Sequence, residues 1–206
     1  MSNMLEGFNI QPGHRGVLEI ADTTRQDLAE LVGKHFKVGA EIGVAHGHYS
    51  EALMNANPTM TLYGVDPYAV YKGYKDYALK RTMAALKADA HVRLDRFPSY
   101  EFVEKFSLDA AKAFADGSLD FAYIDANHTE PYVTQDIETW TPKVKTGGII
   151  AGHDYAILRH EKYDVIEAVN SYVKKHGIQL YIWGLNSKAD PSLKRESIRS
   201  WMFFKP

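Results

Sequence analysis

Short apolar runs alternate with longer helix-like segments along most of this 206-residue chain. Strands that alternate with helices of ten or more residues build βαβ units, whose strands lie parallel in one sheet. The apolar runs predict seven strands, at residues 39–44, 60–66, 91–97, 119–125, 147–154, 178–184 and 200–205. The chain is therefore expected to be an α/β protein, with helices on both faces of a mostly parallel sheet.

The end of the chain breaks this alternation. Residues 185–199 join the last two runs without a convincing helix, and a connection that lacks a crossover helix makes two strands antiparallel. The sheet is thus expected to carry an antiparallel C-terminal strand. A single domain over residues 1–206 accommodates these elements, and residues 1–22 are expected to be flexible or to cover the site.

Composition argues against several classes of protein. Lys and Arg number 24 against 26 Asp and Glu, so the net charge of −2 provides no global basic field for a nucleic-acid partner. The N-terminus lacks the apolar segment of a secretory signal, and no run reaches the roughly 20 apolar residues of a membrane span. These features predict a soluble, cytoplasmic protein without a membrane partner, and they leave homo-oligomerisation open.

The first strand leads into a glycine-containing turn, EIGVAHGHYS. Glu41, Gly43 and Gly47 follow the pattern E-x-G-x-x-x-G, and glycines at a strand-to-helix turn permit close backbone approach to a ligand. The second strand ends in Asp66, where an acid can accept hydrogen bonds from both hydroxyls of a ribose. Each feature alone is typical of a plain turn or a solvated acid. Together, on adjacent strands, the four residues predict a nucleoside site.

This pattern resembles the class I S-adenosylmethionine-dependent methyltransferases, whose first motif is an acid followed by spaced glycines. The resemblance extends from about residue 38 to the C-terminus and implies a Rossmann-like fold, S-adenosyl-L-methionine as the cofactor, and a ribose held by Asp66. In the segment RLDRFPSYEF, Ser99 matches a serine near the adenine in this family. A nicotinamide-dependent oxidoreductase is disfavoured, because Ala45 occupies the second glycine position of the dinucleotide motif.

Two later strands each end in a polar cluster. Asp125 and His128 follow the run AYID, while His153 and Asp154 close the run IIAGHD. The strand order of the resembling family makes these strands neighbours, about 4.8 Å apart, so that Asp125 and Asp154 would meet at one point. Two close carboxylates repel unless they share a proton or a cation, and such oxygen ligands suit Mg²⁺. The imidazole of His153 would add a ligand and would admit Mn²⁺.

The D-x-x-H spacing resembles the metal-dependent O-methyltransferases that act on sugar hydroxyls of natural products and glycans. The resemblance implies that Asp125 contacts both metal and cofactor, that Asp154 is a second metal ligand, and that His128 is the catalytic base. The expected acceptor is a glycan or another small molecule. Two alternatives stay open: a methyltransferase that needs no metal, and a non-catalytic nucleoside-binding protein in which Asp125 only caps a helix.

Two further groups of residues carry weaker predictions. A tyrosine stripe at near-helical spacing is typical of packing, although tyrosine faces also stack on sugar or aromatic rings. The stripe consists of Tyr68, Tyr71, Tyr74 and Tyr77. His14 and Arg15 could close over the cofactor, but nothing in the sequence requires it.

Overall fold

The computed structural model describes residues 2–13, 16–71, 80–157, 164–184 and 198–206, which form one nine-stranded sheet with helices packed on it. The strands are β1 (Ile10–Pro12), β2 (Leu18–Ile20), β3 (Val38–Ile42), β4 (Thr61–Val65), β5 (Tyr100–Val103), β6 (Leu119–Ile124), β7 (Val144–Gly152), β8 (Tyr181–Trp183) and β9 (Ser200–Phe204). The α-helices are α1 (Arg25–His35), α2 (His48–Ala56), α3 (Lys80–Leu94), α4 (Ser107–Ala111), α5 (Tyr132–Trp140) and α6 (Asp164–His176). Short 3-10 helices cover Ser2–Leu5 and Thr141–Lys143. The weaker predictions for His14, Arg15, Tyr74 and Tyr77 lie outside the described residues.

The strands follow the order β1-β2-β8-β9-β7-β6-β3-β4-β5. β9 lies antiparallel between β7 and β8, which confirms a mostly parallel sheet with an antiparallel C-terminal strand. The described sheet has nine strands rather than the expected seven, because the N-terminal segment contributes two. β2 pairs in parallel with β8, and β1 folds back antiparallel on β2. Part of residues 1–22 therefore belongs to the sheet.

The third strand of the parallel series lies later in the sequence than expected. Residues 91–97 finish α3 and the turn after it, and the strand is formed by Tyr100–Val103. Ala90 and Leu94, four residues apart, are fully buried, whereas Val92 between them is 84% exposed. A strand would place Val92 on the same face as Leu94, so the burial pattern follows the helical period.

Two separate groups of buried side chains lie on the two faces of the sheet. Phe121 and Tyr123 of β6 pack with residues of α1, α2 and α3, while Ala122 and Ile124 pack with residues of α4, α5 and α6. Successive residues of a strand point to opposite faces, so this alternation places helices on both sides, as expected. Among the described residues, no helix is both long and apolar enough to span a membrane.

The first helix begins at the carboxyl edge of the sheet. β2 runs in the same direction as β3, β6 and β7, so Ile20 lies at the edge where those strands end. The Thr24 side chain accepts hydrogen bonds from the backbone N–H groups of Gln26 and Asp27, and the Asp27 carboxylate accepts from the N–H of Thr24 at 2.7 Å. This capping box starts α1 at Arg25, beside the strand ends.

Asp120 connects three strands at the opposite edge. Its Oδ2 atom accepts hydrogen bonds from the backbone N–H groups of Lys37 at 2.6 Å and Val38 at 3.0 Å, and its Oδ1 atom lies 2.6 Å from Nζ of Lys145. Partial burial opposes ionisation, but Lys145 and the two backbone groups lower the pKa of Asp120 below its usual value. The carboxylate thus ties the starts of β3, β6 and β7 together.

We expect Asp120→Ala to lower the free energy of unfolding by about 1–3 kcal/mol, since it leaves two backbone donors without their acceptor. Urea unfolding measures this change. Asp116→Ala is the matched control, because Asp116 is an exposed partner of Lys143 at 2.8 Å. The control should leave the urea midpoint unchanged, and an equal loss in both variants would contradict the structural role of Asp120.

Candidate active site

The candidate site is built around a close approach between the ends of β3 and β6. Gly43 directly follows β3 and has a φ of +94°, and an added Cβ would lie 2.1 Å from the carbonyl oxygen of Asp125. The Asp125 N–H donates to the carbonyl of Ile42 at 2.7 Å. Only glycine fits at position 43 without displacing the backbone after β6. The start of the glycine loop and Asp125 are therefore in direct contact.

Asp66 holds the glycine loop from the neighbouring strand. Its Oδ2 atom accepts hydrogen bonds from the N–H groups of Val44 at 3.1 Å and Ala45 at 3.0 Å, and its Oδ1 atom accepts from the N–H of Tyr68 at 2.8 Å. Burial raises the pKa of Asp66 above its usual value, against the effect of these three donors. Asp66 lies at the end of β4, where the sequence predicted it, with loop backbone as its recorded partners.

Gly47 ends the loop and begins α2. It has a φ of +77° as the N-cap residue, and an added Cβ would lie 2.8 Å from Cδ1 of Leu94. The positive φ favours glycine here, and a larger residue would also crowd Leu94 of α3. The role of Gly47 in the structure is to let the loop turn tightly and the helices approach each other.

Glu41 lies behind the loop rather than at its surface. Its side chain is buried in β3, with the residue 1% exposed, and Ser50 of α2 donates a short hydrogen bond to it. The Ser50 hydroxyl also lies 3.0 Å from the hydroxyl of Tyr100. Burial raises the pKa of Glu41 to about 8, which favours the neutral acid at neutral pH. Glu41 thus supports the loop from within and presents no charge to a ligand in this arrangement.

Asp125, His128 and Asp154 converge at the ends of β6 and β7. The ligand atoms of the three side chains all lie within 4.8 Å of one another. Nε2 of His128 lies 2.8 Å from Oδ2 of Asp154 and 3.2 Å from Oδ1 of Asp125. Because one ring nitrogen carries at most one hydrogen, the imidazole cannot donate fully to both carboxylates. The arrangement concentrates negative charge that a cation could balance.

Asp154 has an unusual backbone conformation for its residue type. Its φ of +56° lies in the left-handed region, which few non-glycine residues adopt outside functional or turn positions. Burial alone would raise the pKa of this carboxyl, but hydrogen bonds and charge from His128 and His153 hold it below its usual value. Asp154 is therefore an ionised, preoriented carboxylate.

His153 lies beside the cluster but is not part of it. Its Nδ1 atom is 3.5 Å from Oδ1 of Asp154, its residue is 8% exposed, and its Nε2 atom is buried with no recorded hydrogen-bond partner. His153 follows the last residue of β7, and its imidazole lies outside the set of three side chains whose ligand atoms are all within 4.8 Å of one another. The structure thus brings His128 to the carboxylates, where the sequence predicted His153 as the third ligand.

Ser99 lies far from the position that the sequence predicted for it. It precedes β5 and therefore lies at the amino end of that strand, whereas Gly43, Asp66 and Asp125 follow the carboxyl ends of their strands. Its hydroxyl donates to the carbonyl of Pro58 at 2.7 Å. The sequence predicted that residues 91–97 form the third strand, which would have placed Ser99 just after its carboxyl end. With the strand at Tyr100–Val103, Ser99 is on the wrong side of the sheet to contact an adenine.

The structure also brings an arginine to the site that the sequence analysis missed. NH1 of Arg25 lies 3.7 Å from Oδ2 of Asp125, and its guanidinium lies 5.5 Å from the centre of the Tyr49 ring. The only signal in the sequence was the capping motif that starts α1. That motif gives no information on which strand end the helix faces.

Asn127, in the loop between Asp125 and His128, contacts a group of aromatic rings. Nδ2 of Asn127 donates to the hydroxyl of Tyr71 at 3.2 Å, and Oδ1 accepts from the N–H of Thr129 at 3.1 Å. The Tyr71 ring lies 5.4 Å from that of Phe106 and 6.1 Å from that of Tyr132, both edge to face. The contacts of Asn127 anchor the loop that carries His128, and Phe106 is 45% exposed.

We expect Glu41→Gln to flatten the pH dependence of stability. With its pKa raised to about 8, Glu41 stays protonated in the folded state while the unfolded chain ionises above about pH 4.5. Its stabilising contribution is complete below pH 4.5 and is lost as the pH rises towards 8, by up to about 1.4 kcal/mol of unfolding free energy per pH unit. Urea unfolding at pH 5, 6.5 and 8 measures the slope. Glu101→Gln, at an exposed position of β5, is the control; identical slopes in wild type and Glu41→Gln would contradict the prediction.

Comparison with known proteins identifies the relatives of the chain. Residues 40–155, more than half of the chain, match the sequence model of the family described as methyltransferase domain. A search of the curated proteins finds no match.

Three solved structures illustrate the likeness in fold. An O-methyltransferase family protein from Burkholderia thailandensis is 14% identical, with a TM-score of 0.57 over 87% of this chain and 55% of that chain. Precorrin-6y C5,15-methyltransferase from Geobacter metallireducens GS-15 is 13% identical, with a TM-score of 0.61 over 87% of each chain. An rRNA methylase from Streptococcus thermophilus is 12% identical, with a TM-score of 0.58 over 87% of this chain and 93% of that chain. At these identities the likeness shows a shared Rossmann-like fold.

The family match includes the glycine loop, Asp66 and the Asp125–His128–Asp154 cluster. Membership implies that the methyl donor is S-adenosylmethionine. On this evidence the chain belongs to the methyltransferase domain family and is an enzyme that transfers methyl groups.

Proposed function

We propose that the enzyme methylates a hydroxyl oxygen of a sugar or another small molecule, with a divalent cation between Asp125 and Asp154 and with His128 as the base. The observation that carries the proposal is the convergence of these three side chains within 4.8 Å. They follow β6 and β7, next to the glycine loop of the cofactor site. An acceptor hydroxyl that approached the methyl group from the ends of β6 and β7 would contact Asp125, His128 and Asp154.

The donor set fits a hard divalent cation. Carboxylate oxygens are the usual protein ligands of Mg²⁺, which keeps several of its water molecules, and an imidazole close by also admits Mn²⁺. Asp125 and Asp154 would hold such an ion, and it would lower the pKa of a hydroxyl bound to it. The low pKa of Asp154 keeps one of these ligands ionised without help from the metal.

The residues of the chain then have separate tasks. The methyl carbon moves from sulfur to oxygen in one displacement, in which the carbon–sulfur bond breaks as the carbon–oxygen bond forms. His128 takes the proton of the hydroxyl, and Asp154, 2.8 Å from Nε2, orients the ring and stabilises its charged form. Asn127 holds the loop that carries His128, through its contacts with Tyr71 and Thr129.

The acceptor is proposed to bind on the side of the aromatic group. Tyr71 accepts a hydrogen bond from Asn127, which precedes His128, and its ring packs edge to face with Phe106 and Tyr132. Aromatic rings pack well against the apolar faces of sugars and phenols. The net charge of −2 favours a small acceptor over a nucleic acid, whose phosphates require a basic surface.

The cation is tested first by binding. We expect Asp154→Asn to weaken the affinity for Mn²⁺ at least about tenfold, because it removes a charged ligand. Titration calorimetry with Mn²⁺ measures the affinity, and titration with S-adenosylhomocysteine should change less than twofold. Asp109→Asn, at an exposed position of α4, removes the same charge away from the site and should leave both affinities unchanged. Equal Mn²⁺ affinity in wild type and Asp154→Asn would contradict the metal site.

Turnover separates the metal-dependent reaction from its alternative. Incubation with EDTA should abolish the formation of S-adenosylhomocysteine from catechol, simple sugars and their glycosides, and added Mg²⁺ should restore it. His128→Ala should lower turnover by about 10²–10⁴-fold, the usual contribution of a general base. Turnover that survives EDTA but not His128→Ala would indicate that His128 acts without a cation.

Asp66 is expected to contribute to cofactor affinity. Asp66→Ala removes the acceptor of loop N–H groups and of the ribose hydroxyls, so the affinity for S-adenosylhomocysteine should fall by about 1–3 kcal/mol. Calorimetric titration measures the loss, and Asp66→Asn, which keeps one oxygen acceptor, should lose less. Wild-type affinity in Asp66→Ala would place the ribose elsewhere.

A further inference from the structure

Arg25 and Asp125 form an ion pair on the side of the site opposite His128. Asp125 divides its oxygens between two partners, with Oδ1 3.2 Å from His128 and Oδ2 3.7 Å from NH1 of Arg25. The two side chains are 22% and 20% exposed, so the pair is largely shielded from water but still reachable. Charges in such a position act more strongly on a ligand than charges on the open surface.

The position of Arg25 at the amino end of α1 is electrostatically unfavourable for the helix. The amino end of a helix carries a partial positive charge, which disfavours a cation in the first turn. Arg25 is the first residue of α1, and the parallel strand β2 brings it to the edge where β3 and β6 end. The Tyr49 ring lies under the guanidinium at 5.5 Å and helps to hold it there. The position is better explained by a task at this edge than by helix stability.

The charges of the cofactor must match those of this edge. The methyl-bearing sulfonium has to face the Asp125–His128–Asp154 cluster, and the ribose faces Asp66. The remaining end is an α-amino acid, with one ammonium and one carboxylate. That carboxylate is repelled by all three aspartates. Among the described residues, Arg25 is the permanently charged cation in recorded contact with one of them.

We propose that Arg25 binds the α-carboxylate of S-adenosylmethionine while Asp125 takes its ammonium group. The inference rests on the proposed function, because it uses the direction of the sulfonium towards the cluster. At 3.7 Å the two side chains attract each other without a direct hydrogen bond. A zwitterion can therefore lie across the pair while each charge keeps an opposite partner. Guanidinium suits this task because its planar fork matches a carboxylate.

Two ligands test the proposal in one set of variants. S-adenosylhomocysteine carries the amino acid end, and 5′-methylthioadenosine lacks it. In calorimetric titrations, Arg25→Met should lose about 10- to 100-fold in affinity for S-adenosylhomocysteine and less than twofold for 5′-methylthioadenosine. Arg25→Lys should fall between wild type and Arg25→Met. An equal loss for both ligands, or no loss for either, would overturn the assignment.

Lys34→Met is the matched control. It removes one positive charge from the exposed end of the same helix, about 14 Å along the axis from Arg25, beyond the screening length at physiological salt. Both affinities should stay at wild-type values in this control. A loss of S-adenosylhomocysteine affinity in Lys34→Met equal to that in Arg25→Met would assign the effect to overall charge and overturn the proposal.

A measurement on the wild type guards against misfolded variants. The decarboxylated analogue of S-adenosylhomocysteine keeps the ammonium and lacks only the carboxylate, so wild type should bind it at least about tenfold more weakly. Equal affinity for both compounds would overturn the proposal without any substitution. If these differences appear while no hydroxyl acceptor is methylated, the proposed O-methyl transfer fails and the assignment of Arg25 stands.

Discussion

The contact between Gly43 and the backbone of Asp125 sets the geometry of the whole carboxyl edge. A side chain at position 43 would lie 2.1 Å from the Asp125 carbonyl, so glycine lets β3 and β6 end in contact. The glycine loop, which is proposed to bind the cofactor, is therefore in direct backbone contact with Asp125, the first residue of the Asp–His–Asp cluster. Alignment of the methyl donor with the acceptor requires such fixed spacing, since misplacement by about 1 Å strongly slows group transfer.

Burial decides which carboxyl groups at this edge carry charge. Glu41 is buried in β3, two residues before the loop, and desolvation raises its pKa so that the neutral acid is favoured. Asp154 is also buried, but the imidazoles of His128 and His153 hold its pKa below the usual value. The sequence alone shows four acids near strand ends and gives no means to tell them apart. The structure separates Glu41, whose raised pKa favours the neutral acid, from Asp154, whose pKa is lowered.

Much of the fold could be predicted from the sequence, because the alternation of strands and helices predicts a mostly parallel sheet. The juxtaposition of Asp125 and Asp154 was predictable only with the strand order that the resemblance to class I methyltransferases implies. Two errors had local causes. The sequence of residues 91–97 is compatible with both a strand and a helix. In the structure Ala90 and Leu94 are buried with helical spacing, and residues 91–94 belong to α3. The strand is formed by Tyr100–Val103 instead, so Ser99 precedes it and lies at the amino edge of the sheet.

Other features depend on contacts that a linear sequence does not display. Arg25 reaches the site because β2 pairs with β8, a contact between the two ends of the chain that no local pattern announces. His128 lies three residues after Asp125 and His153 lies directly before Asp154, so sequence position did not show which imidazole would contact both carboxylates. The loop after β6 brings His128 within 3.2 Å of both carboxylates, whereas His153 contacts only Asp154 of the two, at 3.5 Å.

The short ribbon formed by β1 and β2 also bears on how the molecule behaves in concentrated solution. Without it, β8 would be the end of the sheet, and its backbone beside the buried Trp183 would be open to pairing with another chain. β1 instead presents three exposed residues that end in Pro12, and proline has no N–H group to donate. The N-terminal segment thus covers the edge of β8, which would otherwise favour edge-to-edge pairing, and it also leads the chain to Arg25 at the carboxyl edge.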